Sequence, residues 1–264
     1  MTGRPMRLTH PRMAEIDPPG EDGLDGALAA LYPHAPGTVR LSLVAAADGA
    51  AAGPDGSSRS INGPEDVRVL RVVRWACDVV LVGAATARAE RYGDIPMRAA
   101  AQAARVAAGL SPRPHLAIST RSGALPEGLD PHTTWVVTTA DSPAARTASG
   151  VWRERLVIAG ERRWDPVLAL AGLAAHGLTR VLCEGGPEVA RRLLDADAVD
   201  EYCLTRSPLA GGAGAPRVPE PPAALVLAHR IEAGGFVMER WTRPRPPAEP
   251  SGADGRRRDG APAQ

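Results

Sequence analysis

The run DVVLVG (78–83) constrains this chain more than any other stretch. Its apolar residues are continuous, so it reads as a short strand buried on both faces rather than a half-wet one. Such a strand needs paired neighbours and a helical layer on each side. The same kind of run recurs: VRLSLVAA (39–46), HLAIST (115–120), TTWVVTT (133–139), LVIAG (156–160), RVLCEGG (180–186) and VDEYCLTRSP (199–208) all read as strands. Helical stretches alternate with them. One starts at Pro64, where Asn62 and Glu65 resemble a capping box, and Val67, Leu70 and Val73 form its apolar face with Arg68, Arg71 and Arg74 outside. Others cover 97–109, the segment from Asp165-Pro166 to Gly177, and PEVARRLLDA (187–196). Two last strands, at about 225–233 and 236–242, meet at Gly234-Gly235, a hairpin signal. This pattern predicts an α/β fold: three layers, α/β/α, around a mostly parallel mixed sheet with an antiparallel C-terminal hairpin at its edge. A single domain over 27–243 is expected, between a flexible segment at 1–26 and a disordered tail at 244–264, both rich in Pro, Gly and charge.

Composition narrows the function. No lysine occurs, which excludes a Schiff-base lysine and the lysine of a P-loop. A formal charge of +1 and 3% aromatic residues give no case for nucleic acid. Cys77, Cys183 and Cys203 form no C-x-x-C pair and suit buried thiols in a reducing compartment. No apolar run has signal or membrane-span length, so a soluble cytoplasmic protein with no membrane partner is expected. The six histidines show no metal-ligand spacing, and H-E-x-x-H and G-x-S-x-G are absent; no metal site is expected.

Chemistry concentrates in loops at strand ends, where parallel sheets bind ligands. Gly83-Ala84-Ala85-Thr86 follows one strand and Glu184-Gly185-Gly186-Pro187 another. Small-residue turns that open helices let backbone N–H groups approach a phosphate. Each turn alone is as well explained as structure; two in one sheet bring the phosphate reading level with it. Neither fits G-x-G-x-x-G. Asp48-Gly49 is a third turn, Arg74 and Arg98 are arginines suited to a phosphate monoester, and Glu90 is the acid nearest Thr86.

Together LSLVAAADG (41–49), DVVLVGAATARAERYGD (78–94) and RVLCEGGPEVARRLLDADAVDEYCLTRSPLAGG (180–212) resemble the pyrimidine reductase of riboflavin biosynthesis, the reductase half of a bifunctional deaminase–reductase with a dihydrofolate-reductase-like fold. The resemblance runs from about Val39 to Trp241, and ALAALYP (27–33) is similar to stand-alone members. The deaminase signature, H-x-E with P-C-x-x-C, is absent. The resemblance implies NADPH-dependent reduction of the ribosyl group of 5-amino-6-(5-phosphoribosylamino)uracil, or its diaminopyrimidine analogue, to a ribityl chain. It implies cofactor contacts at Gly83, Thr86, Gly185, Gly186 and Pro187, with Ser119 and Arg121 toward the NADPH 2′-phosphate. It implies substrate contacts at Ser58, Asn62, Arg74, Glu90 and Arg98, and catalytic roles for Asp48 and Glu184, with Glu184 or water as proton source. Arg74 is expected to face cleft or solvent, so that its loss harms the reaction more than the fold. A homodimer is also implied, using the edge of the C-terminal hairpin.

Two departures stand out. Ser42 occupies a position where the family often has Lys or Asn, with Ala46 and Ala47 before the acid of the Asp-Gly turn; and an acidic pair reads Glu90-Arg91. These leave open an NADPH reductase of another pterin- or pyrimidine-like ring, such as dihydrofolate, and a non-catalytic nucleotide-binding module.

Overall fold

The continuous apolar runs become the middle of an 11-stranded sheet. The computed structural model describes residues 5–12, 14–16 and 20–244. In chain order the first half contains β1 (Met6–His10), β2 (Ala14–Ile16), α1 (Gly20–Leu31), β3 (Val39–Ala45), α2 (Pro64–Val73), β4 (Val79–Gly83), α3 (Ala84–Ala89) and α4 (Ala99–Ala107). Then come β5 (His115–Ser119), β6 (Thr134–Thr138), α5 (Pro143–Thr147), α6 (Val151–Glu154), β7 (Leu156–Ile158) and α7 (Pro166–Ala174). The chain continues with β8 (Val181–Cys183), α8 (Pro187–Asp195), β9 (Glu201–Arg206), β10 (Val226–Ala233) and β11 (Phe236–Thr242). The sheet order is β2-β1-β10-β11-β9-β3-β8-β4-β5-β6-β7. From β9 to β7 all pairings are parallel; from β9 to β2 all are antiparallel.

Strand alternation divides the core in two. Val79 and Leu81 of β4 join Leu41, Val181 and Cys183 under α7 and α8, through Leu173, Val189 and Leu193. Val80 and Val82 face the other way, with Leu182 and Ile118, under Leu28 of α1 and Val69, Val72 and Val73 of α2. All four β4 valine and leucine side chains are fully buried, each worth about 1.5–3 kcal/mol of transfer free energy. This is the expected three-layer sandwich.

Three expectations change. Residues 6–10, 14–16 and 20–26 are not a loose lead-in. Met6 is buried in the second core cluster, Leu8, Ile16 and Leu24 pack against it, and β1 pairs with β10 through Arg7↔Glu232 and Leu8↔Ile231. Alternating apolar side chains order this segment because a strand is waiting to receive it. For the same reason the C-terminal hairpin is not the sheet edge: Gly234 and Gly235 turn it at positive φ, but β1 and β2 cover β10. The edges are β2 and β7, each three residues long, which limits exposed ladder groups. Finally, α2 starts at Pro64 with Gly63 as its cap, not Asn62, and its inward face is Asp66, Val69, Val72 and Val73, with Val67 exposed. The tail beyond residue 244 lies outside the described residues.

Candidate active site

Strands β3, β8 and β4 run parallel and end at one side of the sheet, and a cleft of about 220 Å³ opens there. Ser42, Leu43 and Val44 of β3 form its floor; Asn62 and the first turns of α2, Thr86 to Tyr92, Glu184 to Pro187, and Pro216 to Pro219 form its walls. No helix among the described residues is long and apolar enough to cross a membrane, and none of their His, Cys, Asp and Glu side chains cluster as a metal site.

The two glycine turns are packed on each other. The Gly83 amide donates to the Gly185 carbonyl (2.9 Å). A Cβ on Gly186 would stand 2.4 Å from Thr86 Oγ1, and one on Gly83 3.3 Å from Val189 Cγ2. Gly185 sits at φ +93°, which side chains rarely adopt. Gly186 then caps α8 without a side chain, and Pro187 takes the first helical position. The amides of Glu188 and Val189 lie in the first turn, where the helix offers no acceptor and its dipole favours an anion. This is a cradle that Cβ atoms would fill.

Glu184 lies beneath that cradle, buried. Its Oε1 accepts from Arg74 Nε (2.6 Å), and its Oε2 from Arg74 Nη2 (2.5 Å) and the Tyr92 hydroxyl (2.5 Å). Burial works against the Arg74 charge, but the Glu184 carboxylate outweighs it and holds the guanidinium more firmly protonated than usual. Burial, then Glu184, pushes the Tyr92 phenol well above its ordinary value. One expectation is corrected here. Arg74 is not a free phosphate ligand but half of a bidentate buried pair, because the helix face is rotated and the chain tightens into a 3-10 turn at Arg74–Ala76. Both Glu184 carboxylate oxygens are engaged, in three side-chain hydrogen bonds.

Among the other expected residues, Ser58, Asn62, Glu90 and Thr86 line the cleft. Glu90 spends its carboxylate on the loop, accepting from the Ser58 amide (2.7 Å) and Ser57 Oγ (3.0 Å), with Arg59 Nε at 3.2 Å. Arg98 is not brought to the cleft: it starts α4 and faces Asp25 (3.5 Å) and Asp22 (4.0 Å) of α1. Asp48 is exposed and does not line the cleft; its Oδ1 accepts from the Ala50 amide (3.2 Å). Residues 49–51 are nevertheless tied to the cleft wall, through Ala51 N to Pro216 O and Val218 N to Gly49 O.

A second cavity of about 280 Å³ opens beyond β5 and β6. Ser119, Thr120, Arg121, Thr138 and Thr139 line it, with Arg162, Arg163 and Arg192 opposite. Glu188 and Val189 border this cavity, Gly186 and Pro187 the first, so the α8 N-terminus stands between the two. Arg121 is exposed and its nearest acid, Asp141, is 3.6 Å away.

Residues 37–232 match the family described as the RibD C-terminal domain. The chain belongs to the RibD C-terminal domain family. Of its relatives, the 2,5-diamino-6-ribosylamino-4(3H)-pyrimidinone 5′-phosphate reductase of Methanothermobacter thermautotrophicus is 29% identical over 186 residues, 66% of this chain and 79% of that one. Two solved structures share the fold. A pyrimidine reductase-like protein from Corynebacterium diphtheriae has a TM-score of 0.66 at 23% identity, over 80% of this chain and 93% of that one. Acinetobacter baumannii RibD has a TM-score of 0.57 at 18% identity, over 80% of this chain and 59% of that one.

In this RibD C-terminal domain, Asp66, Tyr92, Thr205 and Arg217 are among the cleft residues that were not expected from the sequence. Asp66 reads as an ordinary first-turn acid beside the helix dipole. The signal was its spacing: Asp66, Val69 and Val73 lie at i, i+3 and i+7, one face of a helix, and that face is the buried one. The Arg217 guanidinium makes no ion pair among the described residues, which sets it apart from Arg74 and Arg98.

Proposed function

We propose that this protein uses NADPH to reduce the ribosyl group of 5-amino-6-(5-phosphoribosylamino)uracil, or of its 2,5-diaminopyrimidinone counterpart, to the ribityl product of riboflavin biosynthesis. The observation that carries this reading is the α8 N-terminus standing between two cavities at the strand ends. A dinucleotide would lie across the two cavities, with its pyrophosphate on the Gly185-Gly186 cradle and the first-turn amides. Gly83 at the end of β4 and Thr86 in α3 support the cradle, and Pro187 starts the helix that closes it. The arginine-rich second cavity suits the adenosine end: Ser119 and Arg121, with Arg162 and Arg163 across from them, fit a 2′-phosphate. When bound, the reduced nicotinamide supplies the hydride; the protein supplies alignment.

On the substrate side, Ser58 and Asn62 contribute polar contacts, and Arg217 is the lining cation left for the 5′-phosphate. Behind the cleft wall, Arg74 and Tyr92 bind Glu184 and so hold the end of β8 and the segment after α3 at one spacing. Such alignment can be worth roughly 7–11 kcal/mol of barrier. With Glu184 engaged by three donors, water at the open cleft completes the proton balance. A homodimer belongs to the same reading, on a surface other than the covered hairpin. Consumption of NADPH on addition of either pyrimidine phosphate, with formation of the ribityl product, tests the proposal.

A further inference from the structure

The corner of the cleft between α2 and β9 holds a carboxyl with no cation. Asp66 is only 6% exposed. Its Oδ1 accepts from Thr205 Oγ1 (2.5 Å), and its Oδ2 from the Asn62 amide (3.1 Å) when that amide is oriented to donate. The same Asn62 orientation reaches the Ser58 carbonyl (3.2 Å), which fixes the choice. No arginine pairs with Asp66 among the described residues. Around it the lining is apolar or neutral: Tyr32, Val69, Leu70, Cys203 and Met238. Burial raises the carboxyl to about 6, and the Thr205 hydrogen bond only partly opposes this.

A buried acid without a cation is costly unless something hydrogen-bonds to it. Here two donors fix the plane of the carboxyl and use one lone pair on each oxygen. Each oxygen retains a second, so the group presents two adjacent acceptors to the cleft. The complementary edge is two adjacent N–H donors on a flat ring, which the apolar walls would sandwich. A 2-amino-4-oxopyrimidine carries that edge, as its N3–H and its 2-amino group. In the 2,4-dioxo compound the only adjacent donors are N1–H and the ribosyl-bearing 6-nitrogen, an edge taken up by the sugar; its N3 edge places a carbonyl beside N–H and sets oxygen against oxygen.

We infer that Asp66, oriented by Thr205 and Asn62, reads the pyrimidine ring and selects the 2-amino-4-oxo substrate over the uracil one. This rests on the proposed pyrimidine phosphate substrate and decides between its two forms.

Calorimetric titration of the full chain at pH 7.5 with each of the two pyrimidine ribosylamine phosphates tests it. Wild type should bind the diaminopyrimidinone tighter by a factor on the order of 100, since mispaired buried polar groups discriminate strongly. Asp66→Asn replaces one acceptor by a donor, matches the dioxo edge, and should reverse the preference, while its melting temperature shows that it folds. Equal affinity in wild type overturns the inference without any variant. So does an Asn variant that weakens both compounds by one factor. Binding of neither compound overturns the functional reading and this inference together; binding of both alike overturns the inference alone.

Discussion

Arg74 shows how one side chain changes meaning with context. In sequence it follows a helical stretch with arginines at regular spacing and looks solvated; in the fold its guanidinium grips Glu184 with both atoms exposed to little water. Removing it leaves a buried carboxylate whose remaining side-chain partner is Tyr92. Arg74→Ala should therefore lower stability by about 3–5 kcal/mol, the usual result of breaking a buried pair from one side. Thermal melting checks this, and pairing the change with Glu184→Gln should recover much of the loss. A single variant that melts like wild type would return Arg74 to the surface. What hid this pair is physical: a one-residue phase error in the apolar face of α2 swaps Asp66 and Val69 inward and Val67 outward, and no local signal reports a partner 110 residues away.

Elements were more legible than their ends. Strands buried on both faces announce themselves by continuous apolar runs, and β4, β5 and β6 sit where those runs lie. Asp165 caps α7 as its Asp-Pro start suggests, accepting from the Val167 and Leu168 amides. By contrast β1 and β2 are short and flanked by proline; β1 becomes a strand only against β10, a partner more than 200 residues away, and β2 only against β1. The glycine turns were legible as turns, but their packing on each other was not, since it depends on β4 and β8 being neighbours. Arg162 and Arg163 joined Ser119 and Arg121 for the same reason. If that cavity holds the 2′-phosphate, Arg121→Ser with Arg162→Ser should cut kcat/KM for NADPH by about ten- to a hundredfold, the size of lost charge-assisted hydrogen bonds, and leave NADH nearly unchanged. Equal losses with both cofactors would contradict the assignment.

At the scale of the whole molecule, the end of the sheet away from the cleft is held by buried charge. Glu201 receives Arg40 (2.6 and 2.9 Å) and Arg240 (2.9 and 3.1 Å), and burial is overcome by these guanidinium groups, which keep its carboxyl below the usual range. His34 and His229 lie buried nearby, lowered to about 4 by burial first and then by Arg40 and Arg240. Between about pH 6.5 and 4 the unfolded chain binds protons at these histidines that the fold refuses, so stability is full above about pH 6.5 and declines as pH falls. Asp66, raised to about 6, acts the other way over part of that range, and Tyr32 and Cys203 beside it stay neutral there. Two histidines against one acid leave an expected net loss of about 2–4 kcal/mol from pH 7 to 4.5. Urea unfolding across that range measures it, and His34→Gln with His229→Gln should flatten the curve; an unchanged slope would exclude these two rings.

All these parts serve one claim, that the two cavities joined at the α8 N-terminus hold a dinucleotide beside a phosphorylated pyrimidine. The direct measurement is the decrease in NADPH absorbance when the purified full chain meets the pyrimidine ribosylamine phosphate, with the ribityl product identified by mass. NADPH oxidation should be stoichiometric with substrate, and the product two mass units heavier than the substrate. NADPH binding without oxidation in the presence of either pyrimidine phosphate would contradict it.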